Sequence, residues 1–399
     1  MNTVISVAEA GAIVRAAVPA PRAHEVALGK AHGKVLAQAV TAARDQPPFA
    51  ASAMDGYAVT ALTDVPLQVI GESIAGRRFR GALGQGQAVR IFTGAPVPPE
   101  AAFVVMQENV ERTGDTIVIR PEGLGGGKTF IRPAGGDFTA GAVLCEAGRR
   151  LDAWTLALVA AAGVGRVKVR KGAKVVIFSN GDELARPGQS LRPDQVFESA
   201  SFAVMALGEA WGGRMRLAGH AGDSEKAIVK VLEDVRADLI VALGGASVGD
   251  HDLVRPALHG LGLKLAFAGV NVRPGRPTWF GRLANGCHVL GLPGNPASAM
   301  VGAELFLRPY LAEAAGLRVP PPVTAVLTAD TPGDGPREAY LRGRLARDGD
   351  GRLTVTAFRE QDSSLVQLFA RANALIRIPP GAEALKAGET VEVLRLDRL

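Results

Sequence analysis

Several short segments pair carboxylates, glycines and cations in ways that suit holding a phosphate and a divalent cation. Ser179-Asn180-Gly181-Asp182-Glu183 and Gly222-Asp223-Ser224 place acidic groups directly after apolar runs, and GGASVGDHD at 244–252 adds two glycines, Ser247 and Asp252. Carboxylates beside phosphates make chemical sense with Mg2+, which takes oxygen ligands and bridges phosphate oxygens. Gly244 and Gly245 let backbone N–H groups approach a phosphate, and Ser247 offers a hydroxyl. Arg273 and Arg276, around the tight turn of VRPGRP at 272–277, suit bidentate contacts to an oxyanion. In GLPGNPA at 291–297, Pro293-Gly294 has the chemistry of a type II turn. Asn295 suits a helix N-cap and Pro296 the first helical position. Such a helix start attracts anions.

Plainer readings compete residue by residue. Asp223 or Ser224 also suits capping of the next helix. His251 reads as a solvated loop histidine, because no His or Cys partners surround it. Asp55-Gly56 can be a turn, Thr93 a strand-end hydroxyl and Asp137 a loop residue. Collectively, three acidic or glycine-rich loops on one predicted sheet edge, facing an anion-ready helix start, point to a common site.

The elements that must position these loops follow from periodicity. Between Lys174 and Leu311 strands and helices alternate. Strands are expected at 174–178, 215–218, 239–243, 264–267, 278–281 and 288–290. Helices are expected at 195–211, along the Ile228/Val231/Leu232/Val235 face, at 253–261 and from Ala297 to Leu311. Near-continuous apolar strands alternating with helices predict a parallel, doubly wound α/β domain, whose ligands bind at the carboxyl ends of the strands. Ser6-Val7-Ala8-Glu9 is a capping-box pattern opening a helix that ends before Pro19, and a second short helix is expected from His24 toward Gly33. Short apolar runs at 67–70, 88–92, 103–106, 116–119 and 129–131 alternate with Gly/Pro breaks, which predicts a small β-barrel or sandwich ending near Phe138. Asp152 suits a cap for a helix through Ala162, with Gly163 as its stop. Strands at 323–327, 339–344, 353–357, 374–378 and 390–394, with a hairpin turn at Asp348–Gly351, predict a C-terminal β domain.

Composition narrows the class. The 399 residues are enough for two to four domains of ~100–200 residues each. Aromatic residues make up 5%, against a base-stacking nucleic-acid platform, and the net charge of +6 is spread along the chain. No nucleic-acid partner is expected. Cys145 and Cys287, the two cysteines, lie far apart, which excludes a disulfide scaffold and a cysteine-built metal site. The first ten residues lack a signal-peptide pattern, and the most apolar run, Leu156–Val164, is too short to span a membrane. A cytoplasmic protein with no membrane partner is expected.

Six segments in order, SAMDGYAV at 52–59, FTGAPVP at 92–98, NGDEL at 180–184, GGASVGDHD at 244–252, RPGRP at 273–277 and GLPGNPAS at 291–298, resemble the molybdopterin molybdenumtransferase family of molybdenum-cofactor biosynthesis, which includes the C-terminal domain of gephyrin. QDSSLVQLFARANALIRIP at 361–379 is a weaker match. The resemblance implies a multidomain α/β plus β fold. Its parts are a helical/linker domain (1–40 and 139–170), a β-barrel domain (41–138), a molybdopterin-binding α/β domain (171–317) and a C-terminal β domain (318–399). It implies a homodimer that inserts molybdate into adenylylated molybdopterin with Mg2+, releasing AMP and the molybdenum cofactor. An upstream adenylyltransferase and molybdoenzyme acceptors are the further partners it implies.

Carried onto this chain, the resemblance puts Asp182, Glu183, Asp223 and Asp252 near Mg2+ and the pyrophosphate, with Glu183 and Asp252 also catalytic. Gly244, Gly245, Ser247, Pro293, Gly294, Asn295 and Ser363 would hold phosphate or pterin. Arg273 and Arg276 would attract molybdate or the substrate phosphate. Asp55, Thr93 and Asp137 would close the site from the partner subunit. Three departures stand out. Arg276 replaces the lysine common in the family's RPGKP-type loop, Glu198-Ser199-Ala200 replaces Asp-Ser-Asn, and Ala50-Ala51 replaces Asp-Asn. A non-catalytic molybdopterin-binding scaffold is the alternative that the Ala200 and Ala50-Ala51 departures suggest. A molybdopterin adenylyltransferase is a further alternative, but it needs only the α/β unit. A nicotinamide dehydrogenase is disfavoured, since no strand leads into a clear GxGxxG.

Overall fold

A computed structural model describes residues 4–125, 127–245, 253–333 and 335–396, so Ser247, His251 and Asp252 lie outside the described residues. The chain divides into two compact units, one formed by residues up to His24 and from Arg170 onward, the other by Glu25–Val169.

In the first unit, helix α1 (Val7–Ala16) opens with the expected capping box. Ser6 Oγ accepts from Glu9 N at 3.2 Å and the Glu9 carboxylate accepts from Ser6 N at 2.9 Å. Six strands form the central sheet: β1 (Lys174–Asn180), β2 (Arg214–Ala221), β3 (Leu239–Leu243), β4 (Lys264–Phe267), β5 (Trp279–Arg282) and β6 (His288–Leu292). Their spatial order is β2-β1-β3-β6-β5-β4. The first four are parallel, as expected, whereas β5 and β4 add antiparallel. Successive strand side chains point to opposite faces. Val175 and Ile177 therefore pack with Val204, Val301 and Phe306 on one side, and Val176 and Phe178 with Ile228, Leu232 and Leu258 on the other. Burial on both faces is why these strands read as unbroken apolar runs.

The covering helices are α2 (Ala200–Ala210), α3 (Glu225–Leu232), α4 (Val254–Gly260), α5 (Pro296–Gly302) and α6 (Arg308–Ala315), with a π-helical stretch at Ala303–Leu307 joining the last two. The helix expected from Gln195 starts five residues later. Val196–Phe197 instead pairs as a short parallel strand with Leu184–Ala185, and Val196 N donates to Glu183 O at 2.8 Å.

Strands β7 (Val323–Leu327), β8 (Glu338–Arg347), β9 (Leu353–Ala357), β10 (Ala374–Ile378) and β11 (Thr390–Arg395) follow, with helix α7 (Val366–Arg371) inserted before β10. Their order β8-β9-β7-β11-β10, with β10 also pairing β8, closes a five-stranded barrel around Ala325, Leu341, Val355, Ile376 and Val393.

In the second unit, strands 103–106, 56–59, 87–91, 67–73, 116–119 and 110–113 form a six-stranded sheet in that order, with apolar clusters that include Tyr57/Ile117 and Val89/Ile91. Asp152 caps helix Ala153–Ala161 by accepting from Thr155 N at 2.8 Å, and Gly163 follows at φ 80°. The helix expected from His24 is absent. Ala23–Ala27 is a strand whose residues alternate between exposed and half-buried, a period of two, and only a 3-10 turn at Leu28–Lys30 follows. Among the described residues, no helix is long and apolar enough to cross a membrane.

Candidate active site

The carboxyl ends of β1, β3 and β6 border a cavity of about 860 Å3. The loops expected there meet in it: Asn180, Gly181 and Glu183 after β1, Asp223 after β2, Gly244 and Gly245 after β3, and Pro293–Pro296 after β6 all line it. The β1 and β2 loops are tied by a reciprocal bond pair. Asp182 N donates to Asp223 Oδ2 at 3.1 Å and Asp223 N donates to Asp182 Oδ1 at 3.3 Å. Asn180 Nδ2 adds a bond to Asp223 Oδ1 at 3.2 Å. Capping of α3 falls to Ser224, whose Oγ accepts from Ala227 N at 3.2 Å. Asp223 is therefore released from that duty and positions the neighbouring loop.

Glu183 behaves differently from both aspartates. It is exposed, it lines the cavity, and among the described residues no donor reaches its carboxylate. Asn180 is 8% exposed, and among the described residues its buried Oδ1 has no hydrogen-bond partner. A buried acceptor left unpaired costs free energy on the order of 1–3 kcal/mol, so a ligand, ion or water that supplies a donor or positive charge is favoured there. Gly244 sits against this atom. Its φ is 90°, and an added Cβ would lie 3.1 Å from Asn180 O and 3.2 Å from Asn180 Oδ1.

The β6 turn departs from expectation. Gly294 does not adopt a positive φ, so the turn is not type II. The chain instead bends through Gly294 and leaves Asn295 extended at φ −61°, ψ 122°. Asn295 does not cap the helix with its side chain; Nδ2 donates to Ser363 Oγ at 2.9 Å. The helix start is partly satisfied by the same residue, because Ala297 N donates to Ser363 O at 3.1 Å and Pro296 has no N–H. The expected anion-attracting helix end is thus largely occupied by protein.

In the second unit, Asp55 and Thr93 come together although 38 residues separate them. Asp55 Oδ1 accepts from Thr93 N at 2.7 Å and from Thr93 Oγ1 at 2.9 Å. These bonds hold the Asp55 carboxyl below the usual aspartate range, the backbone donor contributing most. Asp137 is exposed, and its N–H donates to Gln46 O at 2.9 Å.

Three family profiles match the chain: the MoeA N-terminal region (domain I and II) over residues 5–163, a probable molybdopterin binding domain over 176–313 and the MoeA C-terminal region (domain IV) over 324–396. A molybdopterin molybdenumtransferase from Nostoc is 35% identical over 387 residues, covering 93% of this chain and 88% of the relative. The chain belongs to the molybdopterin molybdenumtransferase family. Molybdopterin molybdenumtransferase 2 of Mycobacterium tuberculosis is 34% identical over 97% of this chain and 98% of its own. A solved molybdopterin biosynthesis MoeA protein from Pyrococcus horikosii superposes with a TM-score of 0.83 at 29% identity, over 100% of both chains. As a member of this family the chain is a transferase of molybdenum-cofactor biosynthesis.

Other family positions fall outside the cavity. Val272–Arg273 pairs with Glu338–Ala339 of the barrel sheet. Arg273 and Arg276 are exposed, and from this loop it is Pro277 that lines the cavity. Ser364 takes the lining position beside Ser363. Among the described residues, no group of three or more His, Cys, Asp or Glu side chains is gathered closely enough to hold a metal ion; the expected set of Asp182, Glu183, Asp223 and Asp252 includes Asp252, which lies outside them.

Sequence reasoning missed Asn180, Glu198 and Phe197 as individual lining residues. Glu198 is bonded by Ser201 N at 2.7 Å and by Ser201 Oγ, so its carboxylate secures the start of α2. Ala200 is buried at the first position of α2. Phe197 is 47% exposed at the cavity wall. An aromatic in a polar segment was the one available signal.

Proposed function

We propose that the chain inserts molybdate into adenylylated molybdopterin, with release of AMP and the molybdenum cofactor. Family membership supports the reaction class. The observation that carries the reading is the cavity in which an unbonded Glu183 carboxylate and the unpaired Asn180 Oδ1 lie beside Gly244 and Gly245. The Asp182–Asp223 bond pair keeps the two acidic loops in register, and such positioning is where a group-transfer site gains most of its rate. Gly244 N is already committed to Leu292 O at 3.1 Å, which leaves the Gly245 N–H for a substrate phosphate. Phe197 and Val196 offer an apolar face to the flat pterin ring.

Oxygen donors of this kind fit Mg2+, which binds through one or two carboxylates plus substrate phosphates and neutralises phosphate charge. Glu183 and Asn180 Oδ1 would hold it, with Asp252. The substrate dithiolene supplies the sulfur ligands of molybdenum, so no protein thiolate is needed. Consistently, burial pushes the Cys287 thiol up to about 11. In a homodimer, Asp55, Thr93 and Asp137 of a second copy complete the site.

The test is to incubate purified protein with adenylylated molybdopterin, molybdate and Mg2+ and to measure AMP and active cofactor. Molybdate-dependent AMP release is expected; substrate binding without release would convert the chain to a scaffold. For the dimer, Asp55→Ala and Glu183→Ala proteins, each with lowered activity alone, should regain part of it when refolded together. No recovery would remove the shared site.

A further inference from the structure

A second, smaller cavity of about 210 Å3 lies at the opposite ends of the same three strands. β1 runs from Lys174 at this cavity to Ser179 and Asn180 at the candidate active site. Asp238, just before β3, and Cys287, just before β6, also line it. Four cations reach it, Arg22, Lys174, Arg214 and Arg236, against a single carboxylate, Asp238. That carboxylate is committed: Asp238 Oδ2 accepts from Arg22 Nη2 at 2.5 Å and from Lys174 N at 2.7 Å. Arg22 is neutralised by it. Among the described residues, no carboxylate pairs with Lys174, Arg214 or Arg236. Arg236 Nη1 donates to the carbonyls of Glu233 at 3.2 Å and Val235 at 3.4 Å, which orients the guanidinium without cancelling its charge.

Sheet register sharpens the imbalance. Lys174 and Arg214 are direct partners across β1 and β2, so two cations start adjacent parallel strands ~4.8 Å apart. Like charges opposed in this way repel. Val235, Ala237 and Cys287 form the floor between these cations.

The geometry points to an anion-binding site at the amino ends of the central strands, built for a small phosphate-type oxyanion, inorganic phosphate or diphosphate. Guanidinium forks match phosphate oxygens in pairs, and Lys174 adds a point charge. The depression is open to solvent, its volume suits such an ion, and it is too small for a nucleotide, whose sites run to roughly 300 Å3 and above. The site is independent of the active-site reading, because it shares no residue with that cavity.

Equilibrium dialysis of the full chain with labelled diphosphate at low salt tests it, with the Arg214→Gln/Arg236→Gln double variant beside the wild type. The wild type should bind one more equivalent than the variant, and phosphate should raise its melting temperature more. Without ligand, the variant should melt no lower than wild type, since a repulsion has been removed. Arg236→Gln alone should weaken this class of binding by about tenfold, and Arg214→Lys should keep it within about threefold. AMP release without added phosphate should be unchanged in all of them. Equal stoichiometry and affinity in wild type, double variant and Arg236→Gln would overturn the site.

Discussion

Two acidic loops, one in each unit, hold their carboxylates in opposite ways. Asp55 is fixed by two donors from a single residue, Thr93, and both fall on the same oxygen. In the other unit, Asp182 after β1 and Asp223 after β2 spend oxygens on each other's backbone N–H groups, while the Glu183 carboxylate beside Asp182 receives no donor among the described residues. A bonded carboxylate positions chain. An unbonded one, exposed in a cavity, remains available to a ligand. The contrast assigns a holding role to Asp182, Asp223 and Asp55, and a contacting role to Glu183.

The largest effect that would break this contrast is Glu183→Ala. Molybdate-dependent AMP release should fall roughly a hundredfold, the scale of losing one preorganised electrostatic contact. The melting temperature should not move. A parallel loss of stability would make Glu183 a structural residue. Gly244→Ala comes next: a side chain forced to φ 90° against Asn180 O should cost about 1–3 kcal/mol in denaturant unfolding and weaken substrate binding with it. Asp223→Asn should cost only about 1 kcal/mol, because the loop is exposed, and hydrogen exchange should show faster opening of the Asn180–Leu184 amides.

The smallest effect belongs to Asp55→Asn and is read through pH. The folded-state pKa of Asp55 is depressed, so its bonds to Thr93 contribute stability that is present above the unfolded pKa of about 3.9 and lost as pH falls through the lower folded value. The variant should therefore melt below wild type at neutral pH, and the gap should close in strong acid. A gap independent of pH would mean that the Thr93 bonds do not depend on the Asp55 charge.

Where turn residues bracket a run of β-formers, the chain is legible to the residue: Phe103–Met106, Leu239–Leu243, Val323–Leu327 and Ala374–Ile378 coincide with their sequence-based bounds. Capping chemistry was equally direct at Ser6 and Asp152. Failures arose where a distant partner overrides the local pattern. Val196–Phe197 is held extended by Leu184–Ala185, and Asn295 gives its amide to Ser363, 68 residues away, so its cap potential is unused. The pairing of Val272–Arg273 with Glu338–Ala339 leaves no local trace in the sequence. Among candidate site residues, the acidic and glycine loops were legible because every one follows an apolar strand. Asn180 was not, because an unpaired buried oxygen is a property of packing.

Ser363 belongs to the connection between β9 and β10, yet it bonds both Asn295 and Ala297 at the cavity wall. That connection is itself held by Arg342 of β8, 1% exposed, which donates to Gln361 Oε1 at 3.2 Å and to Asp362 O at 2.9 Å. Barrel closure and cavity shape are therefore linked equilibria. Heat, denaturant or a protease that opens the barrel also releases the wall residue Asn295, and affinity falls before the central sheet melts. Reciprocity requires the converse. A ligand in the cavity meets the barrel through the β9–β10 connection, where Ser364 and Val366 line the wall, so resistance of Gln361–Ser364 to proteolysis becomes a gauge of cavity occupancy.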